Sequence, residues 1–116
     1  MEQSYRLSVK DYMGRKAVFT NKQFDLKAPF RPELREDGII DRIKETIEKP
    51  TFVYEDFEYK KRLAYYRKEY KINNRTRYIK VILQAQNSCL FVVTAFRPDY
   101  VKERGKTKLL YGEDNE

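Results

Sequence analysis

The sequence predicts an α+β domain, with an N-terminal helical part packed on one face of a small antiparallel sheet, a meander of three to four strands. Three observations lead there. Ile39, Ile40, Ile43 and Ile47 fall at i, i+1, i+4 and i+8, which makes one apolar stripe on a helix. Runs rich in Tyr, Ile, Val and Phe follow between residues 62 and 96. Asn73-Asn74 and Gln86-Asn87-Ser88 separate those runs with turn chemistry.

Taken in order, the first 30 residues do not declare their place. Arg15–Thr20 reads as a short strand and Asn21–Pro29 as irregular chain. Pro32 suits the first turn of a short helix at 32–36, and Gly38 separates it from the main helix at 39–48, which Pro50 ends. Thr51–Tyr54 is a short strand candidate, followed by three longer ones, Arg62–Tyr70, Arg77–Gln84 and Cys89–Phe96. In the middle strand Arg77, Ile79, Val81 and Leu83 alternate with Tyr78, Lys80, Ile82 and Gln84. One face is therefore apolar and turned to the helix, and the other is basic, aromatic and open to a ligand. Leu109-Leu110-Tyr111 adds a last strand or docks on an edge. At 116 residues the chain makes one domain, placed at 1–111, with 112–116 as a solvated acidic tail carrying Glu113, Asp114 and Glu116.

The charge is uneven. There are 25 basic and 18 acidic residues, a formal net charge of +7. Residues 1–50 are close to balance, with 11 basic and 9 acidic side chains. Residues 60–80 hold nine basic ones (Lys60, Lys61, Arg62, Arg67, Lys68, Lys71, Arg75, Arg77 and Lys80) against Glu69 alone. A hairpin carrying Lys and Arg for solubility is the bland account, but a merely soluble surface mixes both signs. Tyr65, Tyr66, Tyr70 and Tyr78 lie in the same stretch, with Tyr54 and Tyr59 just before it. Cations neutralise phosphates and aromatic faces accept unpaired bases, so the segment points to RNA, single-stranded or ribosome-associated.

Other chemistries are missing. With no histidine and one cysteine, Cys89, the Ser-His-Asp triad, Cys-His pairs and Cys/His zinc sites are excluded. Four scattered glycines form neither a P-loop nor a dinucleotide fingerprint, so no cofactor and no metal is expected. The absence of an apolar run of about 20 residues argues against a membrane partner, and the single cysteine suits a cytoplasmic setting. What remains is metal-independent acid–base chemistry, in which a 2′-OH attacks its own phosphate while Arg and Lys stabilise the phosphorane.

Three pieces in order carry a resemblance: "IKETIEKPTFVYED", the strand "KKRLAYYRKE", and the hairpin "RYIKVILQAQNSCLFVVTAFRP". Over roughly residues 38–111 the chain resembles the phage-type branch of the barnase–EndoU–colicin–RelE-like nuclease superfamily. The resemblance implies a metal-independent endoribonuclease leaving a cyclic phosphate, often a toxin or a phage or mobile-element effector. It also implies roles: Arg67 and Lys80 stabilise the phosphorane, Arg97 holds the scissile phosphate, Tyr66 stacks a base or donates a proton, and Thr94 bonds a phosphate oxygen. Glu58 or Glu69 is the candidate base. Lys60, Lys61, Arg62, Lys68, Arg75, Arg77 and Tyr78 are the expected RNA contacts. The chain departs from the histidine-using members by having none.

Strand parity sets a condition on this set. Arg62, Tyr66 and Lys68 share one face and Tyr65 and Arg67 the other, so Tyr66 and Arg67 reach one ligand only where a bulge or the strand's twist relaxes the alternation; otherwise one of the two assignments is wrong. The alternative to an enzyme is a non-catalytic RNA- or ribosome-binding module on the same sheet. A third reading is a protein-interaction domain whose basic face meets an acidic antitoxin or inhibitor.

Overall fold

The computed structural model describes residues 4–114. They form one seven-stranded mixed sheet: β1 (Tyr5–Lys10), β2 (Lys16–Thr20), β3 (Phe52–Glu55), β4 (Arg62–Ile72), β5 (Arg75–Gln86), β6 (Cys89–Phe96) and β7 (Leu109–Gly112). The order across the sheet is β1-β2-β6-β5-β4-β3-β7. Two helices accompany it, α1 (Asn21–Lys27) and α2 (Ile39–Glu48), with short 3₁₀ turns at Ala28–Phe30 and Pro32–Arg35.

This corrects the expected architecture. There is no small meander beneath an N-terminal helical part, because residues 5–20 are themselves a β-hairpin, and β2 joins β6 in parallel, Ala17 opposite Leu90. At the other edge β3 and β7 extend the sheet, so Leu109-Leu110-Tyr111 is a paired strand. Asn21–Lys27, read as irregular, is helical because the Thr20 hydroxyl accepts the Gln23 N–H at 3.0 Å and caps the first turn.

The central meander follows its turn residues. Asn73 and Asn74 have φ of 49° and 64°, and Asn87 and Ser88 have 49° and 65°. Two successive positive φ values give the two-residue turn whose twist matches a hairpin. One-residue irregularities follow Lys68 and Ile82, leaving Glu69 and Val93 as the extra residues.

Both faces of the sheet are covered. On the near face Ile39, Ile43 and Ile47 of α2 pack with Phe19, Tyr65, Ile79, Val81, Leu83 and Ala95. On the far face residues 98–107, expected to be a polar tail, lie across β3, β4 and β5. There Phe52, Tyr54, Ala64, Tyr66 and Tyr78 close a second core with Val101. The expected open face is therefore not open over Tyr66 and Tyr78. Tyr65 and Tyr66 are both fully buried, one in each core.

The sheet also curls enough for its edge regions to meet. Tyr12, just past β1, lies against Tyr111 of β7 with ring centroids 4.2 Å apart. The Tyr65 phenol donates to Asp11 at 2.6 Å and accepts from Arg15 at 3.1 Å, tying the β1–β2 turn to β4. The tail is not simply solvated. Asp114 accepts the Tyr54 phenol at 2.7 Å and two Arg104 N–H groups at 2.6 and 2.7 Å. Glu116 of that tail lies outside the described residues. Among the described residues no helix is long and apolar enough to cross a membrane.

Candidate nucleic-acid interface

The five residues expected to act together do not meet at one point, although Lys80 and Arg97 line the same groove. Tyr66, Lys80 and Thr94 lie on the far face, since Tyr66 is paired with Lys80 and Thr94 with Ile82. Arg67 pairs with Ile79 and belongs to the α2 face, where its guanidinium meets Glu45 at 3.3 Å and donates to the Lys49 carbonyl. The β4 irregularity follows Lys68, two residues too late to bring Arg67 round to Tyr66.

Lys80 and Tyr66 are engaged with each other's neighbourhood. Lys80, expected to emerge from the sheet, has a side chain only 3% exposed. Its ammonium donates to Glu103 Oε2 at 2.8 Å, and the Tyr66 phenol donates to Glu103 Oε1 at 2.5 Å. Glu103 is fully buried, carried in by the covering segment. Burial, reinforced by the Glu103 carboxylate, pushes the Tyr66 phenol far above its usual range, which makes it a poor proton donor. Thr94 Oγ1 is buried without a hydrogen-bond partner.

Arg97 is held as firmly. It donates to Glu69 at 2.6 Å and to both Glu36 oxygens at 2.8 and 2.7 Å, while its backbone N–H donates to Glu33 at 3.0 Å. The hydrogen bond to Glu69 leads the rise in its pKa, with Glu36 adding to it, so the guanidinium stays charged and its charge is met within the molecule. Glu69 also takes Arg42 at 3.0 Å. Glu58, the other candidate base, is exposed and paired with Lys102 at 3.4 Å.

The buried phenols have a measurable consequence. Tyr54 is pushed up to about 12, chiefly by burial, and Tyr65 and Tyr66 rise further for the same reason. A phenol whose folded pKa exceeds its unfolded value of about 10 adds stability that is present below that pH and lost as pH rises through the folded value. Spectrophotometric titration should therefore show these three of the ten tyrosines ionising late, together with a fall in the urea midpoint above pH 10. Full phenol ionisation in the folded state near pH 10.5 would contradict this.

The expected RNA contacts divide by position. Lys60 and Lys61 lie in the β3–β4 loop, and Lys68 and Lys71 lie toward the β4–β5 turn; all four are exposed, with no side-chain partner among the described residues. Arg62 donates to Gln84 at 2.9 Å and sits over the Tyr59 ring at 4.3 Å. Arg75 donates to the Asp99 carbonyl at 2.9 Å and Arg77 pairs with the Asp99 carboxylate at 3.2 Å. Tyr78 is buried in the far-face core. Because β4 is 11 residues long, the two sets of lysines stand at opposite ends of a strand of about 35 Å.

The chain matches no family model, and no curated protein or solved structure matches it. The site therefore stands on its own geometry.

Between the two basic ends lies a surface that the sequence reading reached only through Lys80 and Arg97. A groove of about 450 Å³ runs along the far face, with Ile82 and Phe96 in it, Arg31 and Lys102 beside them, Pro98–Tyr100 forming a wall, and the internally paired Lys80 and Arg97 also on its lining. Arg31 lies over the Phe96 ring at 4.2 Å. Lys102 and Lys106 approach the exposed Phe57 ring at 5.7 and 5.5 Å. Cation–aromatic pairs thus recur along this face, joined to one another through Lys102, which lines the groove and reaches Phe57. Nothing local marks Arg31 or Lys102 in the sequence, because only the fold of 98–107 back over the sheet brings them together.

Proposed function

We propose that the protein binds single-stranded RNA without cleaving it, along the far face from the β3–β4 loop to the β4–β5 hairpin. The observation that carries this is the spread of exposed cations from the β3–β4 loop (Lys60, Lys61) to the far end of β4 (Lys68, Lys71), with exposed rings at Phe57, Tyr59 and Tyr100 beside that track. An extended polyanion meets such charges one phosphate after another, while a phosphorane needs them gathered at one point. The groups that chemistry would use are instead engaged internally: Lys80 and Tyr66 by Glu103, and Arg97 by Glu69 and Glu36.

Binding of a labelled single-stranded oligonucleotide should weaken linearly on a log–log plot against salt. About four phosphates neutralised give a slope of about −3, and each of Lys60→Ala, Lys61→Ala, Lys68→Ala and Lys71→Ala should reduce it by about 0.7. RNA held with the protein in EDTA should remain intact. Absence of binding at low salt overturns the proposal. So does a 2′,3′-cyclic phosphate product that vanishes in the paired variant Lys80→Met with Glu103→Leu, which leaves no buried charge uncompensated; that result would return the ribonuclease reading.

A further inference from the structure

We infer that the groove beside Arg31 is a pocket for one unstacked nucleotide of the bound strand, its base resting on the Arg31 guanidinium plane and its phosphate facing Lys102. The inference rests on the RNA-binding reading above and names the part of the strand that this site takes. The groove, about 450 Å³, falls within the size range of small-ligand sites. Its two acids are committed elsewhere: Glu33 accepts the Arg97 backbone N–H at 3.0 Å, and Asp99 pairs with Arg77 at 3.2 Å.

Arg31, by contrast, has no acidic partner among the described residues, and its guanidinium carbon lies over the Phe96 ring, 4.2 Å from the centroid. A guanidinium backed by a ring presents a planar, weakly hydrated surface, the kind on which unpaired bases stack in RNA recognition. Ile82 supplies a half-buried apolar side and Tyr100, 68% exposed, an aromatic wall. Lys102 is held only loosely, 3.4 Å from the exposed Glu58. A phosphate can therefore take that cation without breaking a buried contact. A duplex keeps its bases stacked inside and cannot offer one to this groove.

The test uses a six-nucleotide single-stranded RNA, the same oligomer carrying one abasic position in turn along its length, and the matching duplex. The native protein should lose about tenfold in affinity for the oligomer whose abasic position falls at the pocket, and should bind the duplex more weakly than the single strand. Arg31→Gln should bind the intact strand about tenfold more weakly and no longer register the abasic position. Arg31→Lys should recover the salt slope but not full affinity. If Arg31→Gln binds and discriminates as the native protein does while Lys60→Ala and Lys61→Ala weaken binding, the pocket is wrong and the RNA reading stands. If no strand binds at all, the RNA reading fails, and millimolar adenosine monophosphate then tests the groove directly. A shift of the Ile82 methyl resonances supports a nucleotide pocket, and unchanged resonances overturn it.

Discussion

Glu103→Ala is expected to destabilise the protein by about 3–5 kcal/mol, because it leaves a buried ammonium without its counter-charge. Lys80 has 3% of its side chain exposed, and its ammonium donates to Glu103 at 2.8 Å. The Tyr66 phenol would lose its acceptor in the same step. A domain of this size is stable by roughly 5–15 kcal/mol, so the variant should stand near the edge of unfolding. Urea denaturation reads the effect as a large fall in midpoint, set against Lys106→Ala on the exposed surface of the same segment. The paired variant Lys80→Met with Glu103→Leu should recover most of the loss, since replacing both partners by apolar groups removes the uncompensated charge. A midpoint for Glu103→Ala equal to that of Lys106→Ala would show that the 98–107 segment does not close over the sheet as described.

Gly112→Ala is expected to cost about 3 kcal/mol and to free β7 from the sheet edge. Gly112 has φ of +79°, which disfavours any side chain, and an added Cβ would sit 2.1 Å from the Thr51 carbonyl oxygen. That atom is backbone beside β3, so it cannot swing aside as a flexible side chain would. Relief requires β7 to move away from Phe52, its partner in the ladder. The contacts held in place by β7 should loosen with it: the Tyr12–Tyr111 ring pair and the Asp114 carboxylate between Tyr54 and Arg104. Amide exchange should quicken selectively at Val53 and Tyr111 before the meander opens. Gly105→Ala is the control, because its φ is also positive, at +72°, but nothing lies within 4 Å of an added Cβ. Equal losses in the two variants would mean that the close approach to Thr51 carries no weight.

Much of the central architecture was legible. The isoleucine stripe gave α2 at Ile39–Glu48, and alternation with turn asparagines gave the β4–β5–β6 meander. These are local signals, in which the residues that set the period are also those that pack. The N-terminal hairpin was not legible, because Tyr5–Lys10 turns only Leu7 and Val9 inward, and its partner β6 is remote in sequence. The far-face cover was hidden for a different reason. In the stretch 98–107 Val101 and Glu103 turn inward while Lys102 and Lys106 stay nearer solvent, yet the composition reads as a uniformly polar tail.

The same blindness misplaced the candidate site. Parity correctly separated Tyr66 from Arg67, and the bulge that would have reconciled them lies two residues too far along. Parity could not show that the side of the sheet carrying Tyr66 and Lys80 is occupied by Glu103. Nine cations close together in sequence also suggested one patch, whereas an 11-residue strand sets its two ends far apart.

The parallel pairing of β2 with β6 bears on how the chain is made. Lys16 and Cys89 are register partners although about 70 residues separate them, a span that ribosomes take roughly 4–15 s to translate at usual elongation speeds. Throughout that interval the nascent β1–β2 hairpin has an unsatisfied edge and no partner strand to dock on. Vectorial synthesis therefore delivers this hairpin early and uses it late, and a chaperone that shields Val18 and Phe19 until β6 emerges should raise the yield of folded protein more than one acting after release.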